Sequence, residues 1–391
     1  MRDATKTDSK SPELNSKCFP SSAGSHKTIK IMMWPPFTRF AATLLLIATS
    51  LMATRAAECY AIFKTMDRGQ SWTRSDTGMP DNSRLNAFGS LGNALFAGTD
   101  SGIFVSRDEG QSWLPAIGVT TRSDRIISFA TLGQSVYAGT DGKGIFVSSD
   151  RGMSWNPNSS FTAKKVLCLF GQDGKLYAGT DAEGVIVSTD GGQIWTRLQH
   201  GLPAHAQIFA MSMVKGQLFA GLYSKGLYVW NEQEHNWAKV GAVSPLVLAS
   251  IGDTLVAGHN PGGIHWSEDL GATWSRGFSS SADQITLGLL DQTRSLSIDA
   301  PVWELGSNDD LVFAGASAGI YYSEDRGRTW VRAQLGLPAE SPGVAFLLKR
   351  NFVLAATLIK DEKGERGGKA NGSQPIRSDT NRTPSLTGPS R

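Results

Sequence analysis

An octapeptide recurs along this 391-residue chain at a spacing close to forty residues, and this period limits the possible folds more than any other feature. Its closing tryptophans are separated by 41, 42, 40, 42, 37 and 56 residues. Six copies share Ser/Thr-x-Asp-x-Gly-x-x-Trp and one is degenerate; in chain order they are TMDRGQSW (65–72), SRDEGQSW (106–113), SSDRGMSW (148–155), STDGGQIW (188–195), WNEQEHNW (230–237), SEDLGATW (267–274) and SEDRGRTW (323–330). A period of this length indicates one small supersecondary unit per repeat.

Each unit contains further apolar runs in a fixed order. A run such as IISFATL (126–132) is followed by one ending in Ala-Gly-Thr, such as VYAGT (136–140), and then by a third run, such as GIFVS (102–106), that leads into an octapeptide. A short segment follows each tryptophan. Runs of four to seven residues rich in Val, Ile, Phe and Tyr, separated by Gly and Asp turns, predict strands. Four strands per forty residues are typical of one blade of a β-propeller.

The two ends of the repeat region each carry half of a unit. The run YAIFK (60–64) precedes the first octapeptide without room for two earlier strands, and VAFLL (344–348) and FVLAAT (352–357) follow the last one without a third. Joining these halves completes one blade and removes exposed sheet edges. We therefore predict an all-β fold, a single seven-bladed propeller over residues 57–358, whose last blade is closed by the N- and C-terminal strands.

The octapeptide pattern resembles the Asp-box, also called the BNR repeat, over about residues 60–358. The chain is most similar to photosystem II assembly or stability factor-like proteins, and more distantly to the propellers of sialidases, plant-polysaccharide hydrolases and sortilin. These families include enzymes and non-enzymes, so the resemblance implies the fold but no particular activity.

Residue chemistry gives the octapeptides a structural role. Ser106 and Asp108 can accept hydrogen bonds from loop N–H groups, Gly110 permits a positive φ, and Trp113 can pack between blades. The alternative is calcium binding, but one carboxylate per loop is too few for a cation that takes six to eight oxygens. We expect no metal and no cofactor. The aspartates assigned this structural role are Asp67, Asp108, Asp150, Asp190, Asp269 and Asp325.

Both ends of the chain differ in composition from the propeller. Residues 40–53 (FAATLLLIATSLMA) are the only strongly apolar run and suit a signal-peptide core within a leader of residues 1–56. Cleavage near Ala56 would place the protein in the periplasm or outside the cell; an uncleaved membrane anchor is the alternative, and translation could begin at Met1, Met32 or Met33. Residues 359–391 contain five glycines and three prolines, and we expect them to be disordered.

Charge and cysteine content exclude some partners. The net charge of +3 comes from the leader and the tail, whereas acidic residues outnumber basic ones within the propeller. This balance argues against nucleic-acid binding. Cys59 and Cys168 fall in different blades, which does not support a disulfide. We expect a monomer.

One face of a propeller carries the loops between second and third strands together with those between blades, and we call it the loop face. The first hypothesis is an exported, non-catalytic binding or assembly-scaffold protein that takes a protein or glycan ligand there, because loops on a rigid frame tolerate variation. An insertion at about 277–298 could cover part of this face. The candidate binding residues are Arg84, Arg122, Arg125, Tyr223, Lys225 and His259.

The second hypothesis is a glycoside hydrolase, sialidase-like or acting on a polysaccharide. Such enzymes use paired carboxylates, and the candidates on the loop face are Asp100, Asp141, Asp181 and Glu183. An aspartate after Ala-Gly-Thr is also a common turn cap. The Arg-Ile-Pro element that sialidases carry ahead of their first repeat does not occur here. A metal site at His200 and His205 is a weaker alternative, since no third ligand is evident.

Overall fold

The computed structural model describes residues 59–359 apart from 81–82, 120–124, 199, 242, 260–261, 280–295, 298–299 and 339–341. The predicted leader, the tail beyond residue 359, Arg122 and most of the 277–298 insertion lie outside the described residues. The described residues form an all-β structure, in which no helix could span a membrane.

Two strands precede the first complete blade, β1 (Cys59–Thr65) and β2 (Thr73–Arg74). Blades 1, 2 and 3 are then antiparallel sheets of four consecutive strands each. Their strands are β3 (Leu85–Leu91), β4 (Ala94–Thr99), β5 (Gly102–Ser106) and β6 (Leu114–Pro115) in blade 1, β7 (Ile126–Leu132), β8 (Ser135–Thr140), β9 (Ile145–Ser148) and β10 (Asn156–Pro157) in blade 2, and β11 (Val166–Gln172), β12 (Lys175–Thr180), β13 (Val185–Ser188) and β14 (Thr196–Leu198) in blade 3.

Blades 4 and 5 repeat this arrangement, and blade 6 is extended. In blade 6 the short β23 pairs in parallel with β28 and antiparallel with β24, so the two ends of the insertion widen this sheet to six strands. The strands are β15 (Ile208–Val214), β16 (Gln217–Leu222), β17 (Gly226–Asn231) and β18 (Asn236–Val240) in blade 4, β19 (Val247–Ile251), β20 (Thr254–His259), β21 (Gly263–Ser267) and β22 (Ser275–Arg276) in blade 5, and β23 (Phe278–Ser279), β24 (Leu296–Ser297), β25 (Val302–Ser307), β26 (Val312–Ala316), β27 (Gly319–Ser323) and β28 (Thr329–Ala333) in blade 6.

The seventh blade joins the two ends of the described chain. Its strands β29 (Gly343–Leu348) and β30 (Val353–Ile359) pair with β1 and β2 in the order β2-β1-β30-β29. The register between β1 and β30 is unbroken from Cys59 opposite Ile359 to Thr65 opposite Val353. The first strands of neighbouring blades contact one another in a cycle from β3 through β7, β11, β15, β19, β25 and β29 back to β3. The seven-bladed propeller, closed by its terminal strands, is confirmed.

The core lies between blades, which explains the Ala-Gly-Thr pattern. All six residues of β4 are buried, because this strand packs on both faces against neighbouring blades. The glycine of the pattern marks the closest approach of two blades: a Cβ at Gly98 would meet Cγ2 of Ile126, in the next blade, at 2.7 Å. Trp113 is fully buried among residues of blades 1 and 7, including Ile62 and Leu354.

Candidate functional site

The octapeptide loops, which join third to fourth strands, use their aspartates internally. Asp108 Oδ1 accepts hydrogen bonds from Ser106 Oγ at 2.7 Å and from the Ser112 N–H at 2.9 Å. Ser106 Oγ in turn accepts the Gly110 N–H at 2.8 Å, and Trp113 Nε1 donates to the Gly110 carbonyl at 3.1 Å. In the other five regular copies the hydroxyl of the first octapeptide residue, a serine or threonine, likewise donates to the aspartate carboxylate. These aspartates are Asp67, Asp150, Asp190, Asp269 and Asp325.

These hydrogen bonds favour the ionised carboxylates. Hydrogen bonds from Ser71 lower the pKa of Asp67 to about 2. At Asp150, burial alone would raise the pKa, but hydrogen bonds led by Ser154 outweigh it and lower the value to about 2. The aspartates belong to separate blades, and nowhere in the described ranges do three His, Cys, Asp or Glu side chains group as a metal site would require.

Each loop also contacts the preceding blade. The Trp113 N–H donates to the carbonyl of Thr77, in the linker that follows blade 7, at 2.9 Å, and Ser112 and Thr77 form a parallel β-bridge. The neighbouring Gly78 has a φ of +87°, and a Cβ there would lie 2.3 Å from the Trp113 carbonyl oxygen. The octapeptide loops therefore connect successive blades on the face opposite the loop face.

The degenerate copy in blade 4 replaces this loop with a plain hairpin. Trp230 pairs with Trp237 across β17 and β18, and their ring centroids are 5.4 Å apart. Asn231 Oδ1 caps the turn by accepting N–H groups at 2.9 and 3.2 Å. Trp237 keeps the connection between blades, since its Nε1 donates to the Leu198 carbonyl in blade 3 at 2.7 Å.

On the loop face, two of the candidate catalytic aspartates share one arginine. Arg125 Nε lies 3.0 Å from Asp100 Oδ1, and Arg125 Nη1 lies 3.1 Å from Asp141 Oδ2. Lys165 Nζ lies 2.9 Å from the other oxygen of Asp141. Burial alone would raise the pKa of Asp141, but the hydrogen bond and charge of Lys165, helped by Arg125, lower it. The adjoining turn is capped by the hydroxyl of Thr99, which accepts the Ser101 N–H at 3.0 Å, and not by Asp100.

The other two candidate acids lie on blade 3 and are not brought together with these. Glu183 pairs with Arg197 of its own blade, and its N–H donates to Thr180 Oγ1 at 2.9 Å. Asp181, partly buried, has no ion-pair partner among the described residues. The loop face therefore contains ion-paired acids on three consecutive blades and an isolated carboxylate.

Two of the candidate binding residues lie on blade 4, and one of them, Tyr223, belongs to an aromatic pair. The ring of Tyr223 packs against that of Phe209 with centroids 5.4 Å apart and planes tilted by 36°, and Phe209 is 37% exposed. Lys225 Nζ donates to the Ala204 carbonyl at 3.0 Å. Arg84 is exposed next to the start of β3, and its carbonyl accepts the Asp100 N–H at 3.1 Å.

The histidines are divided between core and surface. His259 is buried; its Nδ1 lies 3.3 Å from the Ser244 carbonyl oxygen, and its ring stands edge-on to His265 with centroids 4.8 Å apart. Burial lowers the pKa of His259 to about 4, which keeps it neutral at pH 7. His200 and His205 are exposed, and no third metal ligand joins them among the described residues.

A ring of mostly apolar side chains occupies the loop-face end of the first strands, and sequence reasoning missed it. In six blades a β-bulge leaves one residue unpaired near the start of the first strand, and Leu246 holds the equivalent place just before β19. We call these seven residues the collar: Asn86, Ile127, Leu167, Phe209, Leu246, Trp303 and Val344. Because the first strands form the ring nearest the axis, the collar surrounds the mouth of the central channel. All its members are at least partly exposed, Trp303 most at 43%.

Comparison with known proteins supports the fold. No protein-family model matches the chain, and no curated protein matches it. Among solved structures, YCF48 from Cyanidioschyzon merolae is similar with a TM-score of 0.54 at 16% identity, over 72% of this chain and 97% of that one. YCF48 bound to D1 peptide gives 0.54 at 16% identity, over 73% and 95%. The GH74 enzyme of Niastella koreensis gives 0.52 at 14% identity, over 75% of this chain and only 54% of the enzyme. At such identities the likeness shows the propeller fold alone.

Proposed function

We propose that this protein is an exported, non-catalytic binding or assembly propeller that recognises a polypeptide on its loop face. The observation that carries the proposal is the collar, which presents the exposed rings of Phe209 and Trp303 among mostly apolar side chains on one face of the propeller. Exposed aromatic side chains on a rigid frame supply contact area at low entropic cost and are enriched in protein interfaces. Tyr223, whose ring packs against that of Phe209, extends this apolar surface along blade 4.

The charges on the loop face favour binding over hydrolysis. A glycosidase needs one carboxyl whose pKa is raised so that it can act as the general acid. The pKa of Asp141 is instead lowered, with Lys165 and Arg125 as its partners, and Asp100 shares Arg125. Ion pairs of this kind hold loops in place, and the cations that pair with Asp100 and Asp141 disfavour a role for these two carboxylates in protonating a glycosidic bond.

Other observations support the remaining parts of the proposal. A YCF48 propeller is known bound to a peptide, and this chain spans nearly the whole of that protein but only about half of the GH74 enzyme. Export rests on the apolar run at residues 40–53, which suits a signal-peptide core with cleavage near Ala56. The N-terminal residue of the mature protein would test this part directly.

Capture of partners by two matched variants tests the binding proposal. Trp303→Ser removes an exposed collar side chain, whereas Met153→Ser removes a 60% exposed side chain from an octapeptide loop on the opposite face. We expect the same partner to be captured by the wild-type protein and by M153S, and to be lost with W303S. Cleavage of a glycan panel that Asp141→Asn abolishes would instead establish the glycoside hydrolase.

A further inference from the structure

One ionisable side chain stands among small or apolar ones just inside the collar. The next residue along each first strand pairs with the glycine of the Ala-Gly-Thr pattern, or with its equivalent. In blade 6 this residue is Glu304, opposite Gly315. In the other six blades it is Ala87, Ser128, Cys168, Ala210, Val247 and Ala345.

Glu304 is an unpaired carboxyl in a desolvated position. It makes no hydrogen bond or ion pair with any described residue. Burial raises its pKa to about 8, and no other group contributes to the shift. The strands packed against β25 offer no cation: β19, β26 and β29 carry no titratable side chain, and β20 carries only His259, which is neutral at pH 7. Glu304 is half-buried, and a partly desolvated carboxyl without a partner is costly, which points to a ligand.

The surroundings of Glu304 also suit a cation on an apolar stem. Trp303 directly precedes it in β25, and the collar members of the two neighbouring blades are the apolar Leu246 and Val344. Aromatic faces attract ammonium and guanidinium groups, and apolar surface covers the methylene stems of lysine and arginine. Glu304 is partly exposed and follows Trp303 along the first strand, so a ligand that enters from the loop face meets the collar before it meets Glu304.

We propose that the collar and Glu304 form a binding site for a lysine or arginine side chain of a partner polypeptide, with its stem on the collar and its charged head on the Glu304 carboxylate. This inference deepens the proposed function and rests on it. Because the free carboxyl is largely protonated at pH 7, the arriving cation displaces its proton. Binding therefore releases up to one proton and strengthens as the pH rises from about 6 to 9, while the lysine remains charged.

Calorimetric titration with blocked pentapeptides tests the site. The probe is acetyl-Ala-Ala-Lys-Ala-Ala-amide, and the control peptide carries norleucine, which has a similar stem and no charge. We expect wild-type protein to prefer the lysine peptide by about tenfold, the effect of one charge-assisted hydrogen bond. Repeating the titration in two buffers of different ionisation enthalpy should reveal proton release near pH 7 with the lysine peptide only.

Three variants assign these effects to residues. Glu304→Gln should reduce lysine-peptide affinity to that of the norleucine peptide and abolish proton release. Trp303→Ser should weaken both peptides. Glu234→Gln, an exposed position on the opposite face, should change neither. Thermal unfolding of each variant distinguishes a lost site from a lost fold.

The outcomes separate this inference from the proposed function. Equal affinity of wild-type protein for both peptides, or lysine-peptide binding that survives E304Q, overturns the inference. If a partner is nevertheless captured in a Trp303-dependent manner, the loop face binds polypeptide by other contacts and only the inference fails. Lysine-peptide binding that depends on Glu304, combined with glycan cleavage that depends on Asp141, overturns the proposed function and leaves the cation site in place.

Discussion

Asp150 shows how a conspicuous acidic residue can be a structural one. Its carboxylate accepts hydrogen bonds from Ser148 Oγ at 2.7 Å and from the hydroxyl and N–H of Ser154 at 2.6 and 3.0 Å. Asp150→Ala leaves these donors unsatisfied, and we expect a loss of about 1–3 kcal/mol in the free energy of unfolding. Urea denaturation measures it. Asp309→Ala, at an exposed position outside the octapeptides, is the control, and an equal loss in both variants would contradict this role.

Glu304 provides a second prediction, on pH dependence. The pKa of this carboxyl is about 8 in the folded protein and about 4.3 when unfolded, so the folded state binds more protons between these values. The stability due to Glu304 is present below about pH 4.3 and is lost as the pH rises through 8. We therefore expect the free energy of unfolding of Glu304→Gln, relative to that of wild type, to increase by about 1.4 kcal/mol per pH unit between pH 5 and 7.5.

The comparison with wild type is needed because a histidine acts in the opposite direction. His259 has its pKa lowered to about 4, so its contribution is present above about pH 6.5 and is lost as the pH falls through 4. Urea denaturation of both proteins from pH 5 to 8 gives the difference directly. A difference in unfolding free energy that is constant over this range would mean that Glu304 titrates near its ordinary pKa.

The collar shows the limit of sequence reasoning at the scale of single residues. Each member stands twelve residues before the glycine of its Ala-Gly-Thr pattern, or before Ala356 in blade 7. The positions of the collar residues are therefore regularly spaced in the sequence. What could not be predicted is the β-bulge, because side chains such as Asn86 and Trp303 share no chemistry that marks it. Trp303 lies in the first strand of blade 6, and its exposure depends on where that strand lies relative to the axis.

At the scale of elements, the periodic runs predicted nearly all of the blade strands. The second strands were the clearest, since continuous apolar runs such as Ala94–Thr99 are buried on both faces. The fourth strands gave almost no signal: β6 and β10 are two residues long and exposed, and only their position after the tryptophan indicated them. The pairing of Phe278–Ser279 with blade 6 was not predicted, because two residues are too few to establish a period.

Gly78, in the linker between blades 7 and 1, gives a prediction at this scale, with Gly133 in the turn between β7 and β8 as its control. At Gly78 a Cβ would lie 2.3 Å from the Trp113 carbonyl oxygen, whereas at Gly133, which also has a positive φ, it would meet nothing within 4 Å. Gly133→Ala should cost about 1–2 kcal/mol of backbone strain in the free energy of unfolding. Gly78→Ala should cost more, because it also separates the linker from the next blade. Equal losses in urea denaturation would mean that this contact contributes nothing.

At the scale of the whole molecule, the contacts between blades 7 and 1 show how the ring is held closed. Lys64 Nζ donates to the Glu109 carbonyl at 3.0 Å, lies 3.3 Å from its carboxylate, and stands 4.3 Å from the centre of the Phe352 ring. Lys349 Nζ donates to the Gly92 carbonyl at 3.1 Å. The first and last strands of the propeller therefore meet within a blade that is held to its neighbour by side-chain contacts as well as by packing.

Closure makes the C-terminal strands essential to the whole ring, which truncation can test. Removing residues 343–391 deletes β29 and β30, leaves seven residues of β1 without their ladder partner, and exposes a core cluster that includes Phe63 and Phe313. We expect loss of the cooperative unfolding transition seen by tryptophan fluorescence, and aggregation through the open sheet edge. Removing only residues 360–391 is the matched control and should leave the transition unchanged. If the deletion of residues 343–391 kept a cooperative transition at the wild-type midpoint, six blades would be stable alone. The pairing of β1 with β30 would then not be needed to hold the ring together.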